Sequence, residues 1–258
     1  MTQQIISTPS PLPEVQQLSP ADIGLCLRAG LRDFLRAPAF GLLFAGFYVC
    51  GGIVLWLVLT AAGKEWWLMP FILGFPLLAP FAAVGLYEVS RRIEAGRPLI
   101  WREVIGVVFA QKDRQIPSMA VVILLMFMFW VFVAHTIFAL FMGMQAMTLV
   151  TSSPTILFHG SGPMMLLVGS VIGAGFALAL FSFTVAGLPL LLERDVDFIS
   201  AIILSVRCVL LNPMVMLLWG ALIGLLLFAA MLPLFLGLFV VLPVLGHASW
   251  HMYRRLTL

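Results

Sequence analysis

The longest stretch without a formal charge runs from Gln115 to Leu192, 78 residues with no Asp, Glu, Lys or Arg. About 20 apolar residues at about 1.5 Å each cross a ~30 Å hydrocarbon core, so this stretch has the length of three crossings. Its middle, TSSPTILFHGSGP from Thr151 to Pro163, is rich in Ser, Pro and Gly and reads as a loop. Two spans remain, near 117–145 and 164–192.

Three more charge-free runs complete the pattern. Ala37 to Gly63 covers 27 residues and Trp66 to Tyr87 covers 22. They predict spans at about 39–62 and 66–89, joined around Lys64 and Glu65, with Trp66 and Trp67 as interfacial anchors. Cys208 to Tyr253 is 46 residues long, and one helix of that length, about 69 Å, overshoots any bilayer. It is expected to turn over around Leu232 and Pro233, which gives spans at about 214–231 and 234–252.

The basic residues test the count of six. With the N-terminus inside, 13 of the 14 Lys and Arg fall on one face and Lys64 alone on the other. Five spans would move Arg254 and Arg255 across, so the positive-inside rule favours six, both termini cytoplasmic. Composition agrees: 62% of the 258 residues are hydrophobic and 10% charged, against about 45–50% and about 25% in soluble domains. A water-soluble enzyme, a disordered regulator and a nucleic-acid binder are excluded together. Cys26, Cys50 and Cys208 show no paired spacing and imply neither a disulfide framework nor a thiolate metal site. Residues 1–20 are polar, carry four prolines and lack an apolar signal segment, so a flexible cytoplasmic tail is expected there.

Two segments recur at fixed offsets. DIGLCLRAGLRDFLRAP from Asp22 matches DFISAIILSVRCVLLNP from Asp197 at an offset of 175, which pairs Pro38 with Pro213. GFPLLAPFAAVGLYEVSRR from Gly74 matches GLFVVLPVLGHASWHMYRR from Gly237 at 163. The expected fold is therefore all-α, a polytopic bundle of six spans as three hairpins, each preceded by a cytoplasmic-side amphipathic helix. The repeat-like units are 21–98, 99–194 and 195–258 of a single membrane domain, 21–258. In the first amphipathic helix Arg28, Arg32 and Arg36 share one face while Ile23, Leu27, Leu31 and Phe34 face away. Such a helix either lies in the headgroup plane, with its arginines on anionic lipid, or caps the bundle.

Few residues can carry chemistry. His247 and His251, four apart on one helix face, form a candidate metal pair, and either alone a candidate haem ligand. They also fit an interfacial aromatic belt beside Trp250 and Tyr253, with Glu88 as a partner for one of them. His135 sits inside a span, where an ionisable residue suggests function or a neutral imidazole bonded to a helix carbonyl. His159 reads as a loop residue. Pro76, Pro80, Pro189, Pro233 and Pro243 either frame a substrate site or are packing kinks. Gly169, Gly173 and Ala177, and Gly220 with Gly224, form small-residue rows suited to close helix contact. No metalloprotease helix, phosphate loop or nucleophile elbow is present, so no catalytic residue and no cofactor is expected beyond that His pair.

GFPLLAPFAAVGLYEVSRRIEAG, ERDVDFISAIILSVRCVLLNP and VVLPVLGHASWHMYRR together resemble a family of bacterial integral membrane proteins known only as a domain of unknown function. Some members are labelled cytochrome oxidase subunit I-like. A haem–copper centre of that kind needs six histidines, and this chain has four. The resemblance implies a multi-pass protein of the bacterial inner membrane and no particular activity. Three readings stay open: a non-enzymatic accessory or assembly component contacting lipids and other membrane-protein subunits, a small carrier or channel for an apolar or lipidic substrate, and a haem- or metal-binding protein.

Overall fold

The structure is a computed structural model that describes residues 11–62, 69–143, 159–233 and 235–257. The turn expected at Lys64 and Glu65, its tryptophans and the loop residues 151–158 lie outside the described residues. The described residues form helices joined by short turns, with no strand among them: α1 Pro20–Arg36, α2 Pro38–Ala62, α3 Met69–Glu94, α4 Trp101–Ala110, α5 Ile116–Met142, α6 Gly162–Thr184, α7 Gly187–Glu193, α8 Phe198–Leu211, α9 Pro213–Met231 and α10 Leu238–Thr257. Among the described residues three segments are long and apolar enough to cross a membrane: Ile116–Met142, Gly162–Glu193 and Pro213–Met231. A fourth results if α1 and the first part of α2, bent by 101°, are taken together.

Local chemistry sets the helix boundaries. Pro20 begins α1, and the Asp22 carboxylate accepts bonds from the Ser19 amide and hydroxyl, both at 2.8 Å. This satisfies a free amide and places negative charge at the positive helix end. α8 starts likewise: the Asp197 carboxylate accepts from the Ser200 amide (2.9 Å) and hydroxyl (2.6 Å). Each of these helices ends two residues before a proline, because the residue preceding proline is driven from the helical region. The backbone angles at the two breaks are nearly the same, φ −135° and ψ 52° at Ala37, φ −127° and ψ 49° at Asn212. These positions lie 175 apart, the offset of the first sequence match. α9 ends at Met231 and the chain turns through Leu232 and Pro233, with Phe235 at φ 66°.

The chain divides into two compact units, Met1–Ala120 with Ser182–Leu258, and Val121–Phe181. In the larger unit Ala37, Phe40 and Phe44 of α2 pack on Ala82, Leu86 and Val89 of α3 and Val104 of α4. Phe40 stacks on Trp101 at 3.8 Å between ring centres, and Trp219, Trp250 and Tyr253 are fully buried. The closest packing joins α1 to α10. A Cβ on Gly30 would stand 2.5 Å from the Val244 carbonyl and 2.6 Å from the Ala248 amide, so only glycine lets these backbones meet. The buried face of α1 carries Cys26, Gly30, Asp33 and Phe34. Arg28, Arg32 and Arg36 are exposed as expected. Leu31, expected on the opposite side, is 45% exposed beside them and Leu35 67%. At 100° per residue these leucines border the arginine row rather than oppose it.

Residues 11–19 depart from the expected loose tail. The Gln16 amide donates to the Leu256 carbonyl at 2.9 Å. The Leu18 amide donates to Asn212 Oδ1 at 2.7 Å, and Asn212 Nδ2 to the Gln16 carbonyl at 3.0 Å. Arg194 reaches the Pro11 carbonyl at 2.7 Å. A sequence window rich in Pro and Ser signals the lack of helix and says nothing of partners some 190 residues away.

The smaller unit contains parts of α5 and α6. Trp130 lies over Gly173, where a Cβ would be 2.9 Å from the indole, and packs with Phe129 against Phe176, both at 5.6 Å between ring centres.

The helix contact at Gly30 gives a paired prediction for thermal unfolding in mild detergent. Gly30→Ala drives a methyl group into backbone and lowers stability by about 1–3 kcal/mol. Gly24→Ala, on the same helix with no atom within 4 Å of the new methyl, raises it by about 0.5–1 kcal/mol.

Candidate functional site

α1, α3 and α10 bring four polar side chains together inside the larger unit. His247 and His251 share a face of α10 because they are one turn apart. Asp33 comes from the buried face of α1 and Ser90 from α3. Asp33 Oδ2 accepts from the Ser90 hydroxyl at 2.8 Å and from His251 Nε2 at 2.7 Å. Ser90 Oγ also lies 2.8 Å from His247 Nδ1. A serine hydroxyl has one proton to give. Since that proton goes to Asp33, His247 Nδ1 carries its own and donates to Ser90. The array therefore runs His247 to Ser90 to Asp33, with His251 donating from the other side.

Ser90 and His247 are fully buried, Asp33 is 3% exposed and the His251 side chain 22%. Burial works to raise the Asp33 carboxyl. The bonds from His251 and Ser90 outweigh it and hold the group below its ordinary value of 3.8, because both favour the ionised form. The tautomer fixed at His247 leaves Nε2 as a lone pair, and this atom is buried with no partner among the described residues. Chemically the array holds one anionic charge, shared over hydrogen bonds, with an imidazole at each end. The His251 end reaches a cavity.

That cavity, about 500 Å³, is lined by Gln17, Leu18, Asp22, Leu25, Cys26, Ala29, Glu94, His251, Arg254 and Arg255. Its charges are tied to one another. Arg255 Nη1 pairs with Asp22. Arg254 Nε pairs with Glu94 at 3.1 Å and Nη1 with Glu193 at 2.8 Å. Glu94 also accepts from the Trp250 indole at 3.0 Å, and Glu193 from the Tyr253 hydroxyl. A separate group joins Glu88 to Arg91 at 2.6 Å and to Arg92 at 2.7 Å, with Arg92 extending to Glu103 of α4.

The residues singled out from sequence thus separate. His247 and His251 are brought into one array but bond to Ser90 and Asp33 rather than facing a shared point. Among the described residues no group of three or more His, Cys, Asp or Glu could hold a metal ion. Glu88 pairs with arginines and with neither histidine. His135 is exposed on α5, its Nδ1 donating to the Val131 carbonyl at 2.7 Å. His159 is exposed next to the start of α6. The expectations missed Asp33 and Ser90. One signal was available for Asp33: it flanks the i, i+4, i+8 row of Cys26, Gly30 and Phe34.

These features describe an all-α integral membrane protein with a buried polar array where helices meet. Residues 68–193 match the family model described as a predicted integral membrane protein (DUF2189), so the resemblance read from sequence is shown over that segment. None of the curated proteins and none of the solved structures matches the chain. Of the four array residues, Ser90 lies inside the matched segment, whereas Asp33, His247 and His251 lie outside it.

The capping bonds and the array imply acid sensitivity. Asp22, held down by the Ser19 amide and then its hydroxyl, and Asp197, held down by the Ser200 hydroxyl and then its amide, also titrate below 3.8. A carboxyl whose folded value lies below its unfolded one adds stability fully above that unfolded value and loses it as pH falls through the folded one. The contribution of these three carboxylates to the unfolding midpoint in detergent is therefore constant above about pH 5 and is lost as pH falls below about 4. Asp197→Asn lowers the midpoint at neutral pH and reduces the acid-dependent drop.

Proposed function

We propose that the protein is a non-enzymatic accessory or assembly component of a larger complex in the bacterial inner membrane. In this reading it spans six times as three hairpins, with α1, α4 and α8 on the cytoplasmic side and both termini cytoplasmic. The distribution of 13 of 14 basic residues to one face supports that arrangement.

One observation carries the accessory role. The apolar stretch within Gly162–Glu193 is only 6% buried, yet its surface is shaped rather than smooth. A groove of about 540 Å³ runs between α5 and α6, walled by Trp130, Ala134, Ile137, Phe138, Met165 and Gly169 with its neighbours Ser170 and Gly173. Gly173 of the expected small-residue row is used inside the hairpin, beneath Trp130. Gly169 has no atom within 4 Å of where its Cβ would be, which suits close approach of another helix. The same groove supports the second reading, a carrier for an apolar or lipidic substrate. Metal or haem binding at His247 and His251 has less support, since His251 would have to leave Asp33.

Photo-crosslinking separates the readings. A crosslinker at Ser170 in the full-length protein in native membranes is expected to give a discrete adduct with another membrane protein. Gly169→Leu, whose Cβ has open space and whose side chain fills the groove, abolishes that adduct in a protein whose melting curve shows it folded. Adducts with lipid alone, from a protein that purifies singly in mild detergent, overturn the accessory role.

A further inference from the structure

The cavity at the His251 end of the array is not used by that proposal, and its lining has a definite chemistry. It is lined by the apolar side chains of Leu18, Leu25, Cys26 and Ala29 and by the polar ones of Asp22, Glu94, His251, Arg254 and Arg255. The two arginines are held but not exhausted. Arg254 commits Nε and Nη1, and Arg255 commits only Nη1. An arginine has five N–H donors in a fixed fork, so Arg254 Nη2 and Arg255 Nε and Nη2 remain for an anionic oxygen. Neither arginine can supply a free positive charge, because Glu94, Glu193 and Asp22 already neutralise them. A simple anion therefore gains hydrogen bonds here and little net attraction.

The acceptors point to the other half of a ligand. His251 Nε2 donates its proton in a hydrogen bond to Asp33, and in that tautomer Nδ1 is an acceptor, with no bond among the described residues. The carboxylates of Asp22 and Glu94 stand on the same lining. Two carboxylates and two guanidinium groups on one lining suit a ligand that carries N–H donors and positive charge as well as an anionic group. Spare donors beside acceptors, in a cavity that also carries apolar side chains, match a zwitterion attached to an alkyl chain. The position agrees: the cavity lies on the inner face of α1, which turns 101° from the start of α2.

We propose that this cavity binds a phosphate ester bearing a primary ammonium, the headgroup of an aminophospholipid. The phosphate oxygens take the free N–H groups of Arg254 and Arg255. The ammonium donates to the carboxylates of Asp22 and Glu94 and to His251 Nδ1. The first glycerol and chain carbons rest on Leu25 and Ala29. His251 is held for this contact by Asp33, so the buried array sets the tautomer that the cavity presents. This assignment stands apart from the accessory role and survives its failure.

The test uses full-length protein in mild detergent, titrated with dihexanoyl phosphatidylethanolamine, phosphatidylcholine and phosphatidylglycerol and with free phosphoethanolamine. Bound ligand is counted by native mass spectrometry. The ethanolamine lipid is expected to bind about tenfold or more tightly than the choline lipid, which has no N–H, and the glycerol lipid, which has no ammonium. Glu94→Gln and Arg255→Gln each weaken it about tenfold, and Arg207→Gln on α8 leaves it unchanged. Ala29→Leu narrows the cavity without touching an ion pair and abolishes binding in a protein whose melting curve shows it folded. Free phosphoethanolamine binding as tightly as the lipid assigns the site to the soluble ester, and a preference for the lipid assigns it to the membrane. Equal binding of the three lipids, or full binding by folded Ala29→Leu, overturns the proposal.

Discussion

A carboxylate buried in so apolar a protein constrains everything around it. Asp33 is 3% exposed, and an ion at such a site is tolerated only when hydrogen-bond donors replace the water it has lost. Those donors come from two other helices, Ser90 on α3 and His251 on α10. The three helices are thereby locked in register as well as packed. Gly30, one turn before Asp33, makes the lock possible by allowing α1 to touch α10 backbone to backbone. Filling the glycine or removing the acid attacks the same contact from its apolar and polar sides.

The acids nearest this lock are paired. Glu88, Glu94, Glu193 and Asp22 each hold an arginine, and Glu94 and Glu193 also receive Trp250 and Tyr253, whose rings are buried on α10. The last two turns of α10 thus collect ties from α1, α3 and α7, and residues 16–18 bind to Leu256 and Asn212 beside them. Arg28, Arg32 and Arg36, by contrast, stand exposed beside Leu31 and Leu35. One face of α1 holds the protein together, while the other presents basic and apolar groups in the pattern of an interfacial helix.

Local signals in the sequence predicted the parts of the fold that local chemistry decides. Ser19, Pro20 and Asp22 mark the start of α1, Pro38 and Pro213 mark the breaks after α1 and α8, and Leu232 with Pro233 marks a turn. Each works within a few residues, so a single sequence suffices to see it. The array was not legible because its members lie far apart: Ser90 is 57 residues from Asp33 and 157 from His247, and His251 is 218 from Asp33. The i, i+4 spacing of the two histidines was visible, but spacing shows a shared face and not what meets it. Leu31 was misplaced because the hydrophobic pattern of α1 was taken to have one apolar side. A helix at a membrane surface has apolar contacts on the core side and at the lipid edge alike.

The central claim is that Asp33 and His251 act as one unit joining α1 to α10. A double-mutant cycle on Asp33→Asn and His251→Gln, read by reversible unfolding of the full-length protein in mild detergent, measures that coupling directly. The account predicts that the two losses fail to add by about 1–3 kcal/mol, as for partners in one buried network. Losses that add to within about 0.3–0.5 kcal/mol would show the two residues to be independent and contradict the account.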